Sequence, residues 1–361
     1  MITQEEKYRY SRQTILPEVG MEGQEQLKQA RVLVIGAGGL GCPILQYLTS
    51  SGVGNIGIVD YDIIDESNLH RQLLYTAKDV GKNKAEVAIE KLKAINPFTK
   101  FTLFDTELDS LNAESIIKDY DIIVDGSDNF ACRYVVNDAC VIQNKPFVYG
   151  AIYKFEGQVS VFNFNDGPTY RCLFPNPSKT NNSTNCSEIG VMPVIPGIIG
   201  LYMANEVMKI ILGLGKILSG ELFIYNFLTS TSSSLKIKRK IKTMNGIKNT
   251  IGEGTFEIED YKSHHYKEAT LSKYSELNKY PIVLDVREYW EKPTLLLANL
   301  IQIPLDKLEE QVEQIPREHE VLVCCQSGGR SKIAIHLLSK HYGYTNLINL
   351  QNGLNNLADS L

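Results

Sequence analysis

Residues 31–43, RVLVIGAGGLGCP, constrain the fold more than any other stretch of this chain. Four apolar residues, Val32 to Ile35, run straight into Gly36-Ala37-Gly38-Gly39-Leu40-Gly41. The pattern reads as a strand, a G-x-G-x-x-G turn and the start of a helix. Glycines let the backbone come close to phosphates, and a helix N-terminus favours negative charge. Asp60 follows Gly41 by 19 residues, where an acidic side chain suits ribose hydroxyls. The motif marks a nucleotide without saying what is done to it.

The rest of the chain extends this unit. RVLVIG, NIGIVD, DIIVDGSDN and KPFVYG read as strands; PILQYLTSSG, ending at Gly52, and KAEVAIEKLKAI, ending before Asn96-Pro97, read as helices. This alternation predicts an α/β fold with a doubly wound, Rossmann-like, mostly parallel sheet over residues 1–241. From about Thr229 the composition changes. TSTSSS is polar, and LKIKRKIK reads as a final strand with a solvated basic face. Residues 242–267 read as a linker. PIVLDVRE, EVLVCCQSGGRSKIAIHLLSKHY and NLINLQNG then predict a second, smaller α/β domain over 268–361.

Composition narrows the function. A net charge of -5 gives no support for a general nucleic-acid binder. No apolar run approaches about 18 residues, so no membrane span is expected. The N-terminus, MITQEEKYRYSRQ, lacks a signal peptide's apolar core, and seven scattered cysteines suggest reduced thiols in the cytoplasm.

Charged residues after the glycine turn change the reading. SNLHRQ supplies Arg71, VGKNKAE supplies Lys82 and Lys84 at a helix start, and VDGSDN ends a strand with Asp125 and Asp128. Asp125 reads as a loop cap. Cationic clamps beside an acidic metal ligand suit chemistry at a phosphate. Hydride transfer needs none of them.

With RYSRQ, GAGGLGCP, DYDIIDESNLHRQ, VGKNKAE, DGSDN and NCSEIGVMPVIPGIIG in order, residues 8 to 241 resemble the MoeB/ThiF family, bacterial relatives of the ubiquitin-activating enzymes. The resemblance implies use of ATP and magnesium to adenylate the C-terminal Gly-Gly of a ubiquitin-like sulfur carrier of MoaD or ThiS type. It also implies roles for particular residues. Gly38, Gly39 and Gly41 would approach the phosphates, and Asp60 would bind the ribose. Asn68, Arg71 and Lys84 would hold the triphosphate, and Asp128 would bind magnesium. Arg12 would reach the nucleotide of the partner in a homodimer. Cys186 would be a thiol for covalent attachment or sulfur relay. The family's zinc site uses two C-x-x-C pairs. Here the first reads Cys172-Leu173-Phe174-Pro175 and the second is absent, so no structural zinc is expected.

CCQSGGRS carries a second chemistry. A strand ends at Cys324, and Cys325 opens a six-residue arc running into a helix. Backbone N–H groups of such an arc, a helix N-terminus and Arg330 favour a thiolate that can carry an extra sulfur. This loop, with Asp285 and Arg287 of PIVLDVRE, resembles a rhodanese-type sulfurtransferase. Where that domain usually carries a histidine, this chain reads LANLIQIPL. Cys324, Cys42, Cys132 and Cys140 read as core thiols.

Together these readings predict a fused adenylyltransferase and sulfurtransferase that thiocarboxylates a carrier for molybdopterin or thiamine synthesis, with sulfur supplied by an unspecified donor. Three rivals are a carrier-binding scaffold whose second domain only docks, an NAD-dependent oxidoreductase, and adenylation of a tRNA base.

Overall fold

A computed structural model of the chain describes residues 2–175, 190–241, 267–326 and 328–357. It divides into two compact units, Met1–Ile258 and Glu259–Leu361.

The first unit opens with short helices α1 (Gln4–Arg9) and α2 (Ser11–Thr14) and then α3 (Gly20–Gln29). The alternating core follows: β1 (Arg31–Ile35), α4 (Gly41–Ser50), β2 (Asn55–Val59), α5 (Lys84–Ile95), β3 (Lys100–Phe104), α6 (Ala113–Ile117), β4 (Ile122–Asp125), α7 (Phe130–Gln143) and β5 (Phe147–Tyr153). Then come β6 (Glu156–Phe162), α8 (Tyr170–Leu173), α9 (Val194–Leu212), β7 (Glu221–Asn226) and β8 (Thr231–Lys236). The strand order is β3-β2-β1-β4-β5-β6-β7-β8. The first five strands run parallel, and β6 to β8 continue antiparallel.

Both faces of the parallel part are covered, which is why its strands read as unbroken apolar runs. Val32 and Val34 join one core with Leu45 and Leu48 of α4 and Ile199 of α9. Leu33 and Ile35 join another with Ile117 of α6 and Val136 of α7. Side-chain caps fix the helix starts: Asn83 accepts from the Glu86 N–H at 3.0 Å, and Asn129 accepts from the Ala131 N–H at 2.9 Å.

Two expectations need correction. The last strand is Thr231–Lys236, so it begins in the polar TSTSSS stretch and takes only Leu235 and Lys236 from LKIKRKIK. Pairing with β7 decides this, because Leu222 and Leu235 come into register and the serines ride an exposed edge. The second concerns α9, which at 19 residues is long and apolar enough to cross a membrane. It packs against α4, β5 and β6 as a core helix. A Cβ on Gly200 would lie 2.6 Å from the Leu40 carbonyl oxygen, so α9 and the glycine turn touch backbone to backbone.

In the second unit β9 (Lys267–Ala269), β10 (Ile282–Asp285), β11 (Leu300–Gln302), β12 (Val321–Cys324), α10 (Gly329–Tyr342) and β13 (Leu347–Leu350) build a parallel sheet ordered β11-β10-β12-β13-β9. Successive β12 residues face opposite cores, one holding Val321 and Val323, the other Leu322 and Cys324.

Asn96, fully buried, donates to the Tyr10 hydroxyl and to the Thr49 carbonyl, both at 2.7 Å. It thereby fastens the N-terminal helices to the end of α4. Asn96→Ala would orphan these groups and lower the stability of the first unit by about 2 kcal/mol, read by denaturant titration.

Candidate functional site

The first site grows from the C-terminal ends of β1 and β4, where the chain's path through the sheet reverses. Gly36 turns there with φ +85°. A Cβ on it would lie 3.1 Å from backbone atoms of Gly126 and Ser127, and one on Gly41 would lie 1.9 Å from the Gly36 carbonyl oxygen. Backbone packs on backbone, and only glycine permits it. Gly38 differs, because a Cβ there would meet only Gln72 Nε2, at 3.6 Å. The fold does not demand glycine at that position, so its missing side chain serves the space before the loop. A Cβ on Gly39 would lie 3.2 Å from Pro196 and 3.6 Å from the Arg71 stem. Helix α4 begins without a side-chain cap, but Pro43 has no N–H and the Cys42 N–H already donates to the Gly38 carbonyl at 2.9 Å, so an anion would be met by the turn ahead of the helix.

Asp60 is nearly buried. Its Oδ2 accepts from the Ala37 N–H at 2.7 Å and its Oδ1 from the Asp62 N–H at 2.9 Å. Burial pushes its pKa up, against the opposing pull of the Lys84 charge and the two N–H groups. The Tyr75 hydroxyl donates to the Ala37 carbonyl at 2.8 Å, so the same peptide is held on both sides. Lys84, the first residue of α5, is buried and donates from Nζ to Asp62 at 2.8 Å. Asn68 closes a short turn that carries Arg71, whose guanidinium donates to the Ser67 carbonyl at 3.0 Å. The Tyr61 phenol is pushed up to about 12 by burial and then by Glu107, Asp62, Asp60 and Asp128, so these carboxylates share one neighbourhood.

Asp128 is exposed on a loop that is stapled from below. Asp125, fully buried, accepts from the Ser127 N–H at 2.8 Å, and Arg133 donates to the Ser127 carbonyl at 3.2 Å. Arg12 is exposed on α2. Its neighbour Gln13 donates to the Ser51 carbonyl at 2.8 Å, at the far end of α4 from Gly41. That helix has 10 residues, about 15 Å. Among the described residues expected to meet a nucleotide, Arg12 is the one tied to the far end of α4 from this chain's own glycine turn.

The second site is the loop after β12. Cys325 is fully buried, and its Sγ accepts from the N–H groups of Gly328 at 3.1 Å and Ser331 at 3.4 Å. The Ser331 hydroxyl, 3.6 Å from the sulfur, donates to Asn349 at 2.7 Å. Arg287 is buried in a fork on Asp285 at 2.8 Å and donates to Gln326 of the loop at 3.0 Å. Arg330 is held by both carboxylate oxygens of Glu291, at 2.5 and 2.7 Å. A Cβ on Gly353 would lie 2.5 Å from the Cys325 carbonyl oxygen and 2.6 Å from Gln326 O and Gly328 N, so this glycine buttresses the loop. Burial pushes the Cys324 thiol up, and that of Cys42 to about 12, as suits core thiols.

The ThiF family's sequence profile matches residues 10–245, and that of the rhodanese-like domain matches residues 269–360. The chain belongs to the ThiF family. One relative, a "Sulfur carrier protein adenylyltransferase" of Thermus thermophilus, is 50% identical over 66% of this chain and 89% of its own length. Another, the "Probable adenylyltransferase/sulfurtransferase MoeZ" of Mycobacterium tuberculosis, is 38% identical over 98% of this chain and 93% of its own. A third, the "Adenylyltransferase and sulfurtransferase MOCS3" of Xenopus laevis, is 35% identical over 100% of this chain and 88% of its own. Among solved structures, Escherichia coli MccB superposes with a TM-score of 0.59 at 24% identity, covering 65% of this chain and 72% of that one, a likeness of fold alone.

Within this ThiF-family unit Gly38, Gly39, Gly41, Asp60, Arg71, Lys84 and Asp128 fall around one turn. Cys186 lies outside the described residues. Cys172 takes the N–H groups of Thr169 at 3.4 Å and Lys240 at 3.3 Å, tying the two segments together through hydrogen bonds to sulfur. Among the described residues no three His, Cys, Asp or Glu side chains form a metal cluster. A lone carboxylate such as Asp128 fits magnesium, which binds through one or two carboxylates plus substrate phosphates.

Sequence reasoning missed Asp62, Gly126, Arg133, Glu291, Asn349 and Gly353 as parts of these sites. Gly126 stood in the DGSDN motif and Asp62 in DYDIIDE. Glu291 and Asn349 carry no local signal, because their partners lie 39 and 18 residues away. Gly353→Ala drives a methyl into the Cys325 loop. We expect sulfur loading of Cys325 to fall at least about tenfold while ATP–pyrophosphate exchange is unchanged, measured side by side on one preparation.

Proposed function

We propose that the chain adenylates the C-terminal Gly-Gly of a ubiquitin-like sulfur carrier and then converts it to a thiocarboxylate, for molybdopterin or thiamine synthesis. One observation carries the reading: a single chain holds a glycine turn with Arg71, Lys84 and Asp128 near it, and a thiol in an N–H cradle at Cys325. The names of its relatives join the same two activities.

In the first step a carrier carboxylate oxygen attacks the α-phosphorus of ATP. A carboxyl–phosphate anhydride forms and pyrophosphate leaves. Lys84 and Arg71 stabilise the negative charge that grows on the leaving group, and the glycine turn ahead of α4 lets the phosphates approach its backbone. Asp60 keeps the Ala37 peptide in place and faces the ribose. Asp128 would hold magnesium, which supplies charge neutralisation at the phosphates when bound.

In the second step the outer sulfur of a Cys325 persulfide attacks the acyl carbon and AMP leaves. The acyl disulfide so formed releases the thiocarboxylate when another thiolate attacks the Cys325 sulfur. Cys186 is the chain's candidate for that thiolate. That attack leaves Cys325 in a disulfide with the second thiol, and once it is reduced the Gly328 and Ser331 N–H groups stabilise the Cys325 thiolate that takes up the next sulfur.

A homodimer is part of the proposal. Val194, Ile198 and Tyr202 leave an apolar face of α9 exposed, and Arg12 is exposed beside Gln13, which is tied to the end of α4 away from this chain's own glycine turn; both observations support a second copy. We place the protein in the cytoplasm, where its thiols stay reduced.

Two measurements check the reading. Incubation with carrier, Mg-ATP and a sulfur donor should exchange one carboxylate oxygen for sulfur in the carrier's intact mass. Cys325→Ala should abolish that exchange and leave adenylation intact, whereas unchanged thiolation would favour the scaffold reading. Arg12→Ala and Lys84→Ala should each lose ATP–pyrophosphate exchange by about a hundredfold. Mixed as re-equilibrated dimers they should recover about a quarter of normal activity, from random pairing of subunits.

A further inference from the structure

We propose that Glu291 selects the sulfur donor for Cys325. By neutralising Arg330 it disfavours dianionic donors such as thiosulfate and leaves singly charged persulfides as the substrates. The proposal rests on the reading of Cys325 as the sulfur carrier.

Arg330 is the one charged residue in the arc Cys325 to Arg330. Its fork is filled from the other side of the loop, by the two carboxylate oxygens of Glu291 at 2.5 and 2.7 Å. Both side chains are largely buried, at 20% and 14% exposure, so water screens the pair weakly. Burial alone would raise the Glu291 pKa, but the hydrogen bonds from Arg330 and the Glu288 N–H hold it below the usual range, so the acid stays charged at neutral pH. The neighbouring cations are compensated too. Arg287 is sealed on Asp285 at 2.8 Å, and Lys332 lies 3.5 Å from Glu268. Among the described residues the sulfur meets the Gly328 and Ser331 N–H groups, the Ser331 hydroxyl at 3.6 Å and the start of α10.

That cradle suits one negative charge better than several. With thiosulfate, the Cys325 thiolate attacks the outer sulfur, a new S–S bond forms, the old one breaks and sulfite leaves as a dianion. Three negative charges then crowd the loop. With a persulfide RSS⁻, the same attack on the outer sulfur expels RS⁻, and only two charges are present. An unpaired arginine would absorb the difference, and a paired one does not.

The test uses the full chain and follows persulfide formation on Cys325 with thiosulfate and with cysteine persulfide, at fixed ionic strength. The native chain should show the higher kcat/KM with cysteine persulfide. Glu291→Gln keeps the shape of the pair and removes its negative charge. It should raise kcat/KM for thiosulfate about tenfold relative to cysteine persulfide, the scale of one charge interaction near a protein surface. Arg330→Gln added to Glu291→Gln should erase that gain. Equal use of both donors by the native chain would overturn the proposal. So would a donor ratio unmoved by Glu291→Gln, or an equal loss with both donors, which would mark Glu291 as merely structural. If neither donor loads Cys325, the reading of that thiol fails, and this proposal with it.

Discussion

No carbon atom fits between the Gly41 backbone and the carbonyl of Gly36, and Gly36 is pressed in turn against Gly126. This contact brings the ends of two neighbouring parallel strands, β1 and β4, to one point. The sheet order dictates the place, since the chain moves outward to β2 and β3 before returning to β4. Crevices of α/β sheets open at such reversals, beyond the strands' carboxyl ends. The Asp60 clamp on Ala37, the Arg71 turn and the Asp128 loop are all hung on it. Because the contact is backbone on backbone, it fixes the turn without spending any side chain, and the side chains nearby are left to chemistry.

The second unit solves a similar problem with the same means. Gly328 and Gly353 both take positive φ and approach within van der Waals contact of each other's segments, and the Leu354 N–H donates to the Cys325 carbonyl at 2.9 Å. The loop is thus shaped from underneath. Its N–H groups turn inward to the sulfur, and the buried Arg287 holds Gln326 from the side. A fully buried arginine is tolerable only because Asp285 meets it in a fork and the Gln326 side chain and Pro293 carbonyl accept from it as well.

The two sites also share a way of holding cations. Lys84 rests on Asp62, and Arg330 rests on Glu291. A partly buried cation without a partner would be strained, so a chain that keeps one near an anion site gives it a resting acid. The acids differ in exposure. The Asp62 side chain is 56% exposed, so water can take it over when a phosphate claims Lys84. Glu291 is enclosed, so its hold on Arg330 persists.

Much of this was legible in the chain. Apolar runs, helical spacing and glycines at turn positions are local signals, and β1, α5 and the strand before Cys325 follow from them. Ordered motifs with specific spacing also marked the phosphate turn and the thiol loop. The final strand was misplaced because its register belongs to β7 and not to its own pattern. Which acid pairs with which cation, which glycine lies under which loop, and where α2 docks depend on residues tens of positions apart. Sequence periodicity reports what one segment needs buried. Only the folded chain decides what it is buried against, because that choice is made by contacts between segments.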